Sequence, residues 1–169
     1  MRSILICSLV TLALGASAQT SKPTEPEAFA LVKKLVGGVW RAKIGADKTI
    51  PLETRYRFTG GGKVVESEGI VGDPKKPVLL IHAKLGIDPV SNTVFYLDTH
   101  NDTTIYFGHV TASGDTMIID FNALSGDTGH YRAELKFGKD DTYTSKSFVI
   151  KADGTEVPFD PMVVRRTKN

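Results

Sequence analysis

Two periods of apolar residues divide the chain at Gly37 and Gly38. Before them, apolar residues between 28 and 36 recur at the three- and four-residue spacing of one helical face. Thr24 and Glu27 precede this stretch with the spacing of a capping box. We therefore predict one amphipathic helix over residues 25–36, with its N-terminal cap at Thr24.

After Gly38 the pattern changes to short β-rich runs, separated by turn clusters such as Gly60 to Gly62. Strands are predicted over residues 39–45, 52–59, 63–71, 77–86, 93–100, 103–111, 115–122, 129–137, 142–151 and 161–167. Connections this short make neighbouring strands antiparallel, and a meander of this length tends to curl and close. The predicted fold is all-β: an antiparallel up-and-down barrel of nine to ten strands with one short N-terminal helix.

Alternation within the strands indicates which side chains face the barrel interior. Tyr131 lies on the apolar face of its strand and Arg132 on the polar face. Tyr56 and Phe58 share one face of an earlier strand, opposite Arg57. Ten strands enclose more room than eight, so the interior could hold a ligand. Alternation alone does not distinguish such a cavity from a packed core.

The N-terminus has the three parts of a secretory signal peptide: Arg2, an apolar stretch over residues 4–14, and the small residues Ala16 to Ala18. The apolar stretch is shorter than the roughly 20 residues that a membrane-spanning helix needs, and no later run is long enough either. We expect residues 1–18 to be removed near Ala18 and residues 19–24 to form a flexible lead. A single domain over residues 25–167 is then secreted or periplasmic, with no membrane span.

Cysteine content and charge narrow the chemistry and the partners. The single cysteine, Cys7, lies in the predicted signal peptide, so the mature chain has neither a disulfide nor a thiolate. Loss of Arg2 lowers the formal charge from +2 to +1, and charges of both signs are interspersed. This pattern does not favour binding to nucleic acid or to an anionic membrane. The sequence leaves the oligomeric state open.

Four histidines are available for catalysis or metal binding: His82, His100, His109 and His130. Their spacing matches no zinc motif, so no metal site is predicted. Alternation places His82 and His130 outside the barrel, and His100 on one face with Tyr96 and Asp98. His109 shares a face with apolar neighbours at 105 and 107, which makes it the best candidate for an inward-facing imidazole.

Aromatic side chains on the strands could line a pocket, although the same residues would also make an ordinary core. The candidate ligand-binding residues are Tyr56, Phe58, Tyr96, Tyr106, His109, Phe121 and Tyr131.

The helix that runs into Gly38-Val39-Trp40 resembles the opening of lipocalins and their calycin relatives. Residues 25–167 resemble a bacterial family of lipocalin-like secreted domains, which share this opening, a Gly-rich hairpin, a mid-chain turn like Leu85 to Pro89, and an arginine on the last strand. The resemblance implies that Trp40 closes one end of the barrel under a stacked arginine. Arg165 and Arg166 both match by position, and alternation does not choose between them.

The resemblance also bears on cofactors. Some related ten-stranded barrels bind haem through a histidine late in the chain, and no histidine follows His130 here. No haem or other cofactor is therefore expected.

Three functions remain open. The leading hypothesis is a secreted or periplasmic barrel that binds a small, largely apolar ligand without chemistry. A second is an enzyme at the barrel mouth that uses His109 with Tyr106 or Asp98 as acid and base. A third is an interaction module whose interior is simply packed.

Overall fold

A computed structural model describes residues 24–126 and 128–167. The predicted signal peptide over residues 1–18 lies outside the described residues, as does most of the lead. The described residues form one α-helix and eleven strands: α1 Glu27–Lys34, β1 Val39–Ile44, β2 Ile50–Thr59, β3 Val64–Asp73, β4 Lys76–Ile87, β5 Val94–His100, β6 Ile105–Ser113, β7 Thr116–Ser125, β8 His130–Phe137, β9 Thr142–Ile150, β10 Glu156–Pro158 and β11 Met162–Thr167. No helix among them is long and apolar enough to cross a membrane.

Helix α1 is two residues shorter at each end than predicted, and the cap at Thr24 is wrong. The helix begins after Pro26, which has an extended backbone with φ −58° and ψ 137°, and no side chain caps this end. Proline is well suited to this position because it has no N–H to leave unpaired.

The eleven strands occupy ten positions around a closed barrel, because β10 and β11 share the last one. This confirms the predicted up-and-down fold with one short helix. Each strand from β1 to β9 pairs antiparallel with the next, and β11 pairs with both β9 and β1. The short strand β10, which alternation did not predict, pairs with β9 next to β11. Strands β10 and β11 are therefore two parts of one last strand, interrupted at residues 159–161.

Helix α1 packs across one end of the barrel, which we call the helix end. The side chains of Phe29 in the helix and of Leu35 directly after it are fully buried, and the helix contacts strands β4, β6 and β7. Trp40 is 1% exposed there, and its Nε1 donates a hydrogen bond to the Leu35 carbonyl at 2.7 Å. The Arg166 guanidinium lies 4.4 Å from the Trp40 ring centroid, and Arg166 also donates to the Lys34 carbonyl. Arg165 is exposed.

The predicted inward orientation of His109 is wrong. In β6 the inward positions are Tyr106, Gly108 and Val110, so that Phe107 and His109 lie exposed on the outer wall. The prediction failed because the inward position at Gly108 carries no side chain. A Cβ there would lie 2.0 Å from the Asp120 carbonyl oxygen and 2.6 Å from the Cβ of Phe121, so the neighbouring strand β7 leaves no room for a side chain.

Phe58 is a second correction. It has the inward parity that was predicted, but it lies at the end of β2, next to the Gly60–Gly62 turn, and is 46% exposed. Alternation gives the side of a sheet on which a residue lies and not its depth along the barrel axis.

Candidate functional site

A cavity of about 320 Å³ lies inside the barrel. This is about twice the ~150 Å³ of an engineered protein cavity that holds benzene, and it falls at the lower end of small-molecule sites. Its wall is mainly apolar and includes Leu52, Ile81, Met117, Ile119, Phe121 and Leu135. Leu35, the residue directly after α1, also lines it, so the C-terminal end of the helix closes one side of the cavity.

Polar side chains interrupt this apolar wall: Thr54, Tyr56, Ser67, Tyr96, Asp98, Tyr143, Ser145 and Ser147. They occupy inward positions on strands β2, β3, β5 and β9, where successive inward side chains are two residues apart. Asp98 is the one charged side chain in the described wall, and neither lysine nor arginine lines it. The interior is thus apolar with a single acidic group.

Asp98 is the most constrained of these groups. It is 5% exposed, and its Oδ2 accepts a hydrogen bond from the Tyr96 hydroxyl at 2.7 Å, while His100 Nε2 lies 3.3 Å from the same oxygen. Burial raises the pKa of Asp98, and the contacts with Tyr96 and His100 oppose that rise. No side chain or backbone group that the structure describes makes a hydrogen bond of ordinary geometry to the second oxygen, Oδ1. The backbone N–H of Thr99 makes a smaller contribution that also opposes the rise in the pKa of Asp98.

The tyrosines around the cavity are neutral hydrogen-bonding groups. Burial raises the pKa of Tyr56 to about 12, and its hydrogen bond with Tyr143 offsets part of the rise. The pKa of Tyr143 is also raised well above its ordinary value by burial. Tyr96 is shifted in the same direction by burial and by the charge of Asp98. These hydroxyls can orient a ligand but do not supply charge.

An aromatic cluster supports the wall at Phe121. Tyr131 stacks on Phe121 with ring centroids 5.5 Å apart and an interplanar angle of 21°. Tyr106 packs edge-on against both rings, with centroid distances of 5.5 Å to Phe121 and 5.7 Å to Tyr131. Its ring centroid also lies 5.2 Å from that of His100. Phe121 lines the cavity, and Tyr106 and Tyr131 pack against its ring from the neighbouring strands.

A second cavity of about 640 Å³, which we call the mouth, lies at the end opposite the helix. Lys43 at the end of β1 and Lys48 in the following loop line it, together with His100 of β5 and Phe159 in the interruption between β10 and β11. Ser147 and Met162 line both the mouth and the interior cavity. The interior therefore comes nearest to solvent at this end.

Three of the predicted ligand-binding residues, Tyr56, Tyr96 and Phe121, line the cavity, and two more, Tyr106 and Tyr131, contact Phe121. Phe58 and His109 do not belong to the site. Sequence reasoning missed Ser67 and Ser145, although small polar residues at inward strand positions are a usable signal.

The acid–base pairs of the enzyme hypothesis are not brought together. His109 is on the outer wall, whereas Tyr106 and Asp98 lie inside the barrel. Within the described residues, no group of three or more His, Cys, Asp or Glu side chains could hold a metal ion.

The fold is a closed antiparallel β-barrel with a small internal cavity. No protein family matches the sequence, and neither does any curated protein. Among solved structures, the crystal structure of Rv2717c from M. tuberculosis is similar, with a TM-score of 0.56 and 12% sequence identity, over 84% of this chain and 98% of that chain. At this identity the likeness shows the barrel fold alone, and the lipocalin resemblance stays a prediction.

Proposed function

We propose that this protein binds a small, largely apolar molecule inside its barrel and performs no chemistry on it. The observation that carries the proposal is the interior cavity, whose wall is apolar and aromatic with a few convergent polar groups. The signal-peptide pattern over residues 1–18 favours a secreted or periplasmic site of action.

The size of the cavity sets the expected affinity. A ligand of two fused rings buries roughly 250 Å² of apolar surface, which contributes about 6 kcal/mol at 25 cal/mol per Å² before the costs of association. Affinities in the micromolar to millimolar range follow. Longer molecules would have to extend into the mouth.

The test is a titration with naphthalene, which has no polar group, followed by calorimetry or by its own fluorescence. Ala133 lines the cavity, so Ala133→Phe should fill part of it and weaken naphthalene binding about tenfold or more. Lys136→Phe adds the same ring to the exposed face of the same strand and should leave binding unchanged.

Both variants should first be shown to fold, by circular dichroism. Binding that survives Ala133→Phe unchanged would place the ligand elsewhere. If the folded wild-type protein binds no apolar probe, the packed interaction module becomes the better interpretation.

A further inference from the structure

We infer that the ligand carries an N–H or O–H hydrogen-bond donor that binds Asp98 Oδ1, in the manner of an aromatic amine or alcohol. This inference rests on the proposed function, and it names the class of molecule that the same cavity selects.

The first observation is the unpaired oxygen. Asp98 is 5% exposed and lines the cavity, yet Oδ1 has no hydrogen-bond partner among the described residues. Buried polar atoms almost always have a partner, because an unpaired one keeps its full cost of desolvation. A donor on the bound molecule would remove that cost, and an apolar molecule would not.

The second observation is the occupancy of Oδ2. The Tyr96 hydroxyl donates to it and His100 Nε2 lies beside it, so one oxygen of the carboxylate faces two polar neighbours. Burial raises the pKa of Asp98, and both contacts oppose that rise. In its ionised form the carboxylate is an acceptor only, so Oδ1 then requires a donor.

The third observation is the charge of the wall. Asp98 is the only charged side chain in the described wall. The other polar groups in the wall are neutral hydroxyls, such as those of Tyr56 and Ser145. A ligand carboxylate would meet a like charge at low dielectric, where the repulsion is strong. Fatty acids are therefore disfavoured inside the cavity. The lysines that could attract an anion, Lys43 and Lys48, lie at the mouth.

The test compares four probes of nearly the same shape by calorimetry: 2-naphthol, 2-naphthylamine, 2-methylnaphthalene and 2-naphthoate. We expect the two donors to bind about tenfold to a hundredfold more tightly than 2-methylnaphthalene, the range for a hydrogen bond to a charged group. We expect 2-naphthoate to bind most weakly. This comparison uses the wild-type protein and needs no variant to fold.

A pair of matched variants locates the effect. Asp98→Asn should remove most of the preference for the donors, because a neutral amide oxygen replaces the carboxylate. Asp120→Asn is the control: this residue also pairs with a histidine, with Oδ1 2.7 Å from His130 Nε2, but it lies exposed on the outer wall. It should leave all four affinities unchanged.

The outcomes separate the two proposals. Equal binding of the donors and 2-methylnaphthalene would mean that solvent satisfies Oδ1, which overturns this inference and leaves ligand binding intact. Tightest binding of 2-naphthoate would place a ligand head group at the mouth lysines and would also overturn it. Binding of none of the four probes would instead count against the proposed function itself.

Discussion

The two ends of the barrel are built from the same alternating strands but are filled differently. At the helix end, Phe29 of α1 and Leu35 directly after it pack with Trp40 and Met117, all less than 2% exposed. At the mouth, the structure describes no helix, and Ser147 and His100 are among the side chains that line the opening. A ten-stranded barrel is too wide for its own inward side chains to fill. Space remains where α1 does not reach.

Because of this difference, the residues that stabilise the fold are not the ones that we expect to bind a ligand. Contacts at the helix end close the fold, whereas the polar groups around Asp98 are arranged for a partner that the strands do not supply. Local inconsistencies such as an unpaired buried oxygen are expected at functional sites. Substitutions at the helix end should therefore change the free energy of unfolding, and those along the cavity should change ligand affinity.

The largest expected effect is at Trp40. Trp40→Ala should lower the free energy of unfolding by about 3–5 kcal/mol, since it deletes a fully buried aromatic side chain. Urea denaturation would measure the loss. Phe58→Ala removes a half-exposed ring at the same end and should cost clearly less. Similar losses for the two variants would show that Trp40 is not the closing residue.

The next effect distinguishes the two arginines that sequence alone could not separate. Arg166→Ala should destabilise the protein by about 1–2 kcal/mol, because it removes both the stacking on Trp40 and the hydrogen bond to the Lys34 carbonyl. Arg165 is exposed on the neighbouring position, so Arg165→Ala should stay within about 0.5 kcal/mol of the wild type. The reverse order would contradict the observed stacking.

A third effect belongs to the cavity. Phe121→Ala should weaken naphthalene binding about tenfold, because the ring forms part of the wall. Tyr131→Ala should have a smaller effect, since Tyr131 stacks on Phe121 but is not part of the described cavity wall. Phe58→Ala provides the control, as that ring lies outside the site. A titration of each folded variant checks the order, and an equal loss at Phe58 would contradict it.

Much of the fold could be predicted because alternation and turn residues are local signals. All ten predicted strands are present, with ends within three residues of the observed ones. The failures have physical causes that no local pattern contains. Gly108 is an inward position of β6 that has no side chain, so the alternation of apolar residues placed His109 on the wrong side of the strand. The partners of Asp98 on β5 could be read from the sequence, but the lack of a further donor for Oδ1 depends on every strand around the cavity.

The smallest expected effect is the dependence of stability on the charge of Asp98, because contacts with Tyr96 and His100 partly offset its burial. Burial raises the pKa of Asp98 above its unfolded value of about 3.9. Between the two pKa values the folded protein binds more protons than the unfolded chain, so this contribution to stability falls as pH rises and levels off above the folded pKa. Two other titratable groups lie near Asp98 and Tyr96: Tyr56 on β2 and Tyr106 on β6.

The measurement is the difference in free energy of unfolding between the wild type and Asp98→Asn over a series of pH values. Titrations that the two proteins share cancel in this difference, so it should decline from about pH 3.9 upward and then become flat. Tyr96→Phe removes a hydrogen bond that opposes the rise in pKa, so the decline in that background should extend to higher pH. A difference that instead increases with pH would mean that the fold stabilises the ionised carboxylate without a ligand. The unpaired Oδ1 would then no longer indicate a missing donor.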